Sequence, residues 1–125
     1  MGEVVKGKGE EVQLMLFQWD MIEIGEGYIS LARLDFNYAR RRFNLVLQGL
    51  PEHPEAMRGM RDLQFWEDVF LDLAGMEAEM AAPFLWESIS RFFFAKSDTH
   101  QTLRLHLIRR LLGLLENRPF FYSPP

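Results

Sequence analysis

The side chains in this chain that could do chemistry are three histidines, an acidic cluster and an arginine triplet. The histidines are His53, His100 and His106. His100 and His106 are six residues apart, about 240° around a helix, so they cannot share a metal ion. No His-Glu-x-x-His or Glu-x-x-His run places two ligands on one strip. No metal or other cofactor is expected. Glu67, Asp68 and Asp72 form the acidic cluster. Asp68 and Asp72 share a helical face four residues apart, where like charges repel mildly unless a cation answers them. They read as a solvated acidic face that meets arginines of a neighbouring helix. Docking of a basic partner is the sharper alternative. No nucleophile elbow, phosphate loop or glycine-rich cradle accompanies them, so no catalytic residue is expected and the chain reads as a non-enzyme.

Arg40, Arg41 and Arg42 are consecutive. On a helix they fan over about 200° and cannot all serve one ligand. Arg41 and Arg42 are expected to flank the solvent side, and Arg40 to reach a neighbouring helix. Salt bridges to the acidic first and third helices are the plain reading; an anionic peptide or RNA is the alternative. Phe92, Phe93 and Phe94 are also consecutive. As successive helical residues they cannot all face one core, so at least one should point away. Arg40, Arg41, Asp68 and Phe93 are therefore the residues expected to contact a partner.

Five helices must position these groups. The first signal starts near Glu10-Glu11 and carries the stripe Leu14, Phe17, Met21, Ile24, Tyr28 and Leu31. Gly25 and Gly27 interrupt it, each costing roughly 1 kcal/mol against alanine. They imply either a close helix approach or a break. The second helix spans Phe36 to Gly49, with Phe36, Ala39, Phe43, Val46, Leu47 and Leu50 as its stripe and Gly49 as its cap. The third opens at His53-Pro54-Glu55 and stops at Gly75, burying Met57, Met60, Leu63, Trp66, Phe70 and Leu73. Glu77 to Ala82 reads as a short helical lead-in, and Pro83 then starts the fourth helix, which runs through the phenylalanine triplet to Lys96. The fifth is capped by Ser97, Asp98 or Thr99 and runs to Asn117. Its main stripe is Leu103, Leu107, Leu111, Leu114 and Leu115. Leu105, Ile108 and Leu112 widen it, which implies contact on more than one side. No alternating run bounded by hairpin residues suggests a strand.

Composition sets the class. The 125 residues suit one domain, and the 48% hydrophobic and 26% charged fractions are ordinary for a globular protein. Eleven phenylalanines on so short a chain imply a well-filled core or apolar surface that a neighbour covers. Cysteine is absent, which excludes disulfides and thiolate metal sites. The net charge of −4 is unevenly spread: residues 36–50 carry three arginines and no acid, whereas residues 51–80 carry eight acids and two bases. Alternating signs suit helices that attract their neighbours. The acidic total argues against a nucleic-acid binder. No apolar run reaches membrane-spanning length, so no membrane is expected and a cytoplasmic location is the default.

The stretch from Gly27 to Ala56 resembles a tetratricopeptide repeat (TPR). Gly27 falls where that family places a small residue between two helices. Leu34-Asp35-Phe36 is similar to its Gly-Asp-Tyr turn, with leucine in place of glycine. Ala39 and Phe43 match its small-then-aromatic pair, and Pro51 its closing proline. Glu23, Glu26 and Ser30 depart from the pattern, and the next 34 residues keep little of it. The resemblance implies an all-α fold of about five antiparallel helices in TPR-like stacked hairpins, and a scaffold or adaptor that binds a protein or peptide. A self-associating homodimer within a longer repeat protein is the alternative, and a small helical enzyme or RNA-contacting module a lesser one. The expected organisation is a disordered tail over 1–9, the helical domain over 10–117, and an aromatic, proline-rich tail over 118–125. More chain or a second copy is expected to cover Phe120, Phe121 and Tyr122.

Overall fold

The computed structural model describes residues 18–116, and within them five α-helices account for the chain with no strand. The all-α expectation holds. α1 is described over residues 18–32; α2 is Phe36–Gly49, α3 Pro54–Ala74, α4 Ala78–Arg91 and α5 Asp98–Glu116. The expected tail 1–9, the stripe positions Leu14 and Phe17, the helix end at Asn117 and the aromatic residues Phe120–Tyr122 lie outside the described residues.

The turn between α1 and α2 is built from backbone bonds. The Asp35 N–H donates to the Ser30 carbonyl at 2.9 Å, and the Leu34 N–H to the Leu31 carbonyl at 2.8 Å. This pair of bonds is a Schellman closure, which needs a left-handed residue at its centre. Leu34 takes that role with φ 64°, where glycine would be unstrained. Its side chain packs against the core, which offsets the backbone cost. Asp35 then caps α2 by accepting the Tyr38 N–H at 3.2 Å. α3 starts with Pro54 in its first turn and His53 Nδ1 accepting the Ala56 N–H.

α1, α3 and α5 run in one direction. Tyr28, Asp62 and His100 lie together at one level. Ala32 and His106 meet at the next, where the His106 Nδ1–H donates to the Ala32 carbonyl. α2 and α4 run back along them. One core cluster joins α1, α2 and α3 through Ile24, Leu31, Phe43, Val46 and Leu63. The other joins α1, α3, α4 and α5 through Ala32, Trp66, Leu85, Ile89, Leu103 and Leu107. α5 thus returns to α1 directly and closes the bundle.

Phe43 is fully buried, and its ring fills the space beside two glycines on different helices. A Cβ added at Gly27 would lie 2.6 Å from Phe43 Cε1, and one added at Gly59 would lie closer still. Gly27 is therefore a close-approach residue, as its position suggested. Gly25 is not: open space surrounds it, and the helix passes through both glycines unbroken. Tyr28 closes the pocket edge-on, 5.3 Å from the Phe43 ring centre.

Several expectations need correction. The expected helical lead-in and the segment from Pro83 are one helix: α4 begins at Ala78, five residues before Pro83. The proline forgoes one helical hydrogen bond, yet burial of Ala81, Ala82 and Leu85 carries the helix through it. α4 also ends at Arg91, so Phe92, Phe93 and Phe94 are not helical. Phe92 has extended backbone, whose period of two sends alternate side chains to opposite sides. Phe92 and Phe94 pack on Trp66 while Phe93 points away. Gly49 is the last helical residue of α2 rather than its cap; Leu50 caps, through its N–H to the Val46 carbonyl. Met21, Leu50 and Met57 are exposed rather than in the stripe. α3 is rotated so that Ala56 and Gly59 face inward, because only small residues fit beside Phe43.

The two open and closed glycines make opposite expectations. Gly59→Ala should destabilise by about 1–3 kcal/mol through overpacking. Gly25→Ala should stabilise by roughly 0.5–1 kcal/mol, since it adds helix propensity without a clash. Urea unfolding followed by circular dichroism distinguishes the signs.

Candidate functional site

Asp62 is on the buried strip of α3, three residues after Gly59 and four before Trp66. A carboxylate on an apolar strip needs a partner. His100, in the first turn of α5 and buried, supplies it: its Nε2 lies 3.2 Å from Asp62 Oδ2. The other ring nitrogen, Nδ1, accepts the Ala95 N–H at 2.8 Å. A backbone N–H can only donate, so Nδ1 carries no proton and Nε2–H donates to the carboxylate. Ser97 holds this end of α5, its Oγ accepting the His100 N–H at 3.3 Å.

Burial pushes the Asp62 carboxyl above the ordinary carboxylate value, against the opposing pull of His100, Arg58 and Arg61. Tyr28 lies beside this pair, its ring centre 5.7 Å from that of His100. Burial, and then the Asp62 charge, hold the Tyr28 hydroxyl well above the usual tyrosine range. A cleft of about 330 Å³ opens next to the group, with Ile24, Tyr28 and His100 on its floor and Glu55 and Arg58 at its rim.

This arrangement looks like part of a proton-transfer site, but its bonds are already spent. Both His100 nitrogens are engaged within the fold, so neither is free to take a substrate proton. The Ser97 hydroxyl in the same cleft caps α5. The group fastens α5 and the 92–97 loop to α3. Among the described residues, no three His, Asp or Glu side chains gather as metal ligands. His106 is turned to Ala32 and His53 to the α3 N-terminus.

The four residues expected to contact a partner are not brought to one place. Arg40 is half-buried and pairs with Glu67 across the α2–α3 contact. It also donates to Asn37 at 3.2 Å. It is thus a helix-to-helix tie, as the plain reading had it, and is not freely exposed. Arg42 does not flank the solvent side but makes the other tie of the plain reading: it turns to α1, donating to Glu23 at 3.0 Å and to the Tyr38 hydroxyl. Its guanidinium also lies over the Tyr38 ring. Arg41 is exposed on α2. Asp68 is exposed and accepts from Gln64 at 2.9 Å. Phe93, in the α4–α5 loop, is 83% exposed.

Sequence reasoning weighed His100 only as a metal ligand and passed over Asp62. The available signal was Asp62's place on the strip with Gly59 and Trp66. Its partner lies 38 residues away, beyond the reach of any local spacing. No helix among the described residues is long and apolar enough to cross a membrane. No protein-family model, curated protein or solved structure matches this chain.

The buried hydroxyl and carboxyl carry a pH signature. Above pH 10, the ordinary tyrosine value, the unfolded chain releases the Tyr28 proton while the folded chain keeps it. The folded state then binds more protons, so stability falls as pH rises. Asp62, also raised, acts with the same sign above the ordinary value of 3.8. Tyr28→Phe should lose less stability than wild type between pH 9 and pH values above 10, in urea titrations at each pH. Equal losses would show that Tyr28 carries none of the alkaline slope.

Proposed function

We propose that this chain is a non-catalytic protein-interaction module, a scaffold or adaptor with one TPR-like hairpin, α1–α2, in a bundle that α5 closes. Phe93 carries the reading. Its neighbours Phe92 and Phe94 are locked against Phe65, Trp66 and His100, with ring centres 4.9–6.4 Å apart. The backbone between them is therefore held, and the Phe93 ring projects from it 83% exposed. An aromatic side chain presented by a rigid backbone loses little conformational entropy on binding, which is the physical profile of an interface anchor. The internal use of both His100 nitrogens supports the non-catalytic part. Arg41 and Asp68 are the exposed charges proposed to set the direction of a bound protein or peptide.

Self-association is the second reading, favoured by Trp86, which is 56% exposed on the outer side of α4. A second copy could cover Trp86 and Phe93 together.

Light scattering behind size exclusion, combined with affinity capture from the source lysate, tests both. On the scaffold reading the mass stays at 14.7 kDa, and proteins retained by wild type are lost with Phe93→Asp. That variant should change stability by less than about 0.5 kcal/mol, because the site is exposed. A doubled mass that Phe93→Asp returns to monomer would select self-association. Retention indifferent to Phe93→Asp in a monomer would remove Phe93 as the anchor.

A further inference from the structure

α5 is apolar on two faces, and the fold uses one. Leu103 and Leu107 are buried in the core, with Leu111 and Leu114 packed against the same cluster. Leu105, Ile108, Leu112 and Leu115 form a second strip with spacings of three, four and three. This is the a/d rhythm by which one helix seats another. Leu105 and Leu112 are 47% and 52% exposed, and none of the four belongs to either core cluster. Ile108 and Leu115 are half-buried, so Leu105 and Leu112 are the outward part of the strip.

The charges beside the strip select its occupant. Arg104 flanks it on one side and Arg109 on the other, both exposed and neither in an ion pair among the described residues. Arg109 continues into a cleft of about 320 Å³ lined by Arg33, Leu34, His106, Arg109 and Arg110, with no carboxylate among the described residues of its lining. Clustered guanidinium groups repel one another, and an anion between them removes that cost. A parallel second copy of α5 fits poorly, because it would bring arginine flank against arginine flank, and e/g charge pairs decide such pairings. An antiparallel copy, which would bring Arg109 near Glu116, is the other occupant that the test separates.

We propose that the Leu105–Leu115 strip docks an amphipathic helix of another protein whose apolar stripe is flanked by Asp or Glu. The proposal deepens the interaction reading and rests on it, but it uses a different surface from Phe93.

The test is selection on the full-length chain from a displayed library of roughly 20-residue helices. These have fixed apolar a/d positions and flanks randomised among Glu, Gln and Lys. Enriched helices should carry Glu flanks. A synthesised winner should bind about tenfold or more weakly to the Arg104→Glu, Arg109→Glu double variant, and Leu112→Asp should abolish binding. Both arginines are exposed, so the charge variant should keep the wild-type helical spectrum. Enrichment of Lys or Gln flanks, or of no helix, overturns the proposal. Binding that ignores the arginine changes but is lost with Phe93→Asp overturns it too, while leaving the interaction reading intact. A wild-type dimer that Leu112→Asp makes monomeric assigns the strip to a second copy and also overturns it.

Discussion

The Phe43 ring sets the spacing of the first three helices. It is the largest buried side chain of α2, and it lies where the side chains of Gly27 and Gly59 would otherwise be. Two glycines in helix interiors cost propensity. Here they let α1 and α3 close on one aromatic ring, whose burial contributes several kcal/mol, on the order of the 3–5 kcal/mol lost when a core phenylalanine is cut to alanine. The rotation of α3 follows from this contact. With Gly59 and Ala56 facing Phe43, Leu63, Trp66 and Val69 must face inward and Met57 must face out. The same rotation sets Asp62 on the inner strip.

Asp62 turns that rotation into a constraint on the second half of the molecule. A part-buried carboxylate needs a hydrogen-bond donor, and the one it meets is the Nε2–H of His100. His100 in turn takes the Ala95 N–H, so one side chain joins α3, the 92–97 loop and the first turn of α5. Tyr28 brings α1 to the same point. Further along, His106 ties α5 to the last carbonyl of α1. Two histidines six residues apart thus face different neighbours and hold α5 at two levels.

This use of polar groups bears on function. Residues that could have formed a site are engaged as fasteners: His100, Ser97 and Asp62 in one group, Arg40 and Arg42 in helix-to-helix ion pairs. Among the surfaces the fold leaves outward are two apolar ones: Phe93 on its held loop, and the second face of α5 between Arg104 and Arg109. Exposed apolar patches of this kind are the basis of the interaction reading proposed above.

Local physics made much of this legible from the chain alone. Caps, prolines and apolar periodicity placed α2 and α3 at their ends, and the breadth of apolar positions on α5 announced its two faces. The Leu34 turn was also readable, because it depends on neighbours close in sequence, and Gly27 was readable through the repeat resemblance, although the ring it makes room for, Phe43, lies 16 residues away. Pro83 misled, since packing of Ala81, Ala82 and Leu85 outweighs a single missing hydrogen bond. The phenylalanine triplet misled because helical and extended backbones direct three consecutive rings differently, and the helix ends at Arg91 with Phe92 extended. Only the tertiary structure decided the inward turn of Gly59, the pairing of Asp62 with His100, the engagement of Arg42 with Glu23 and which face of α5 stays outward. Each depends on groups separated by 16 to 38 residues, or on the summed packing of several helices. Local spacing determines which residues share a face; contacts between distant segments determine what that face meets.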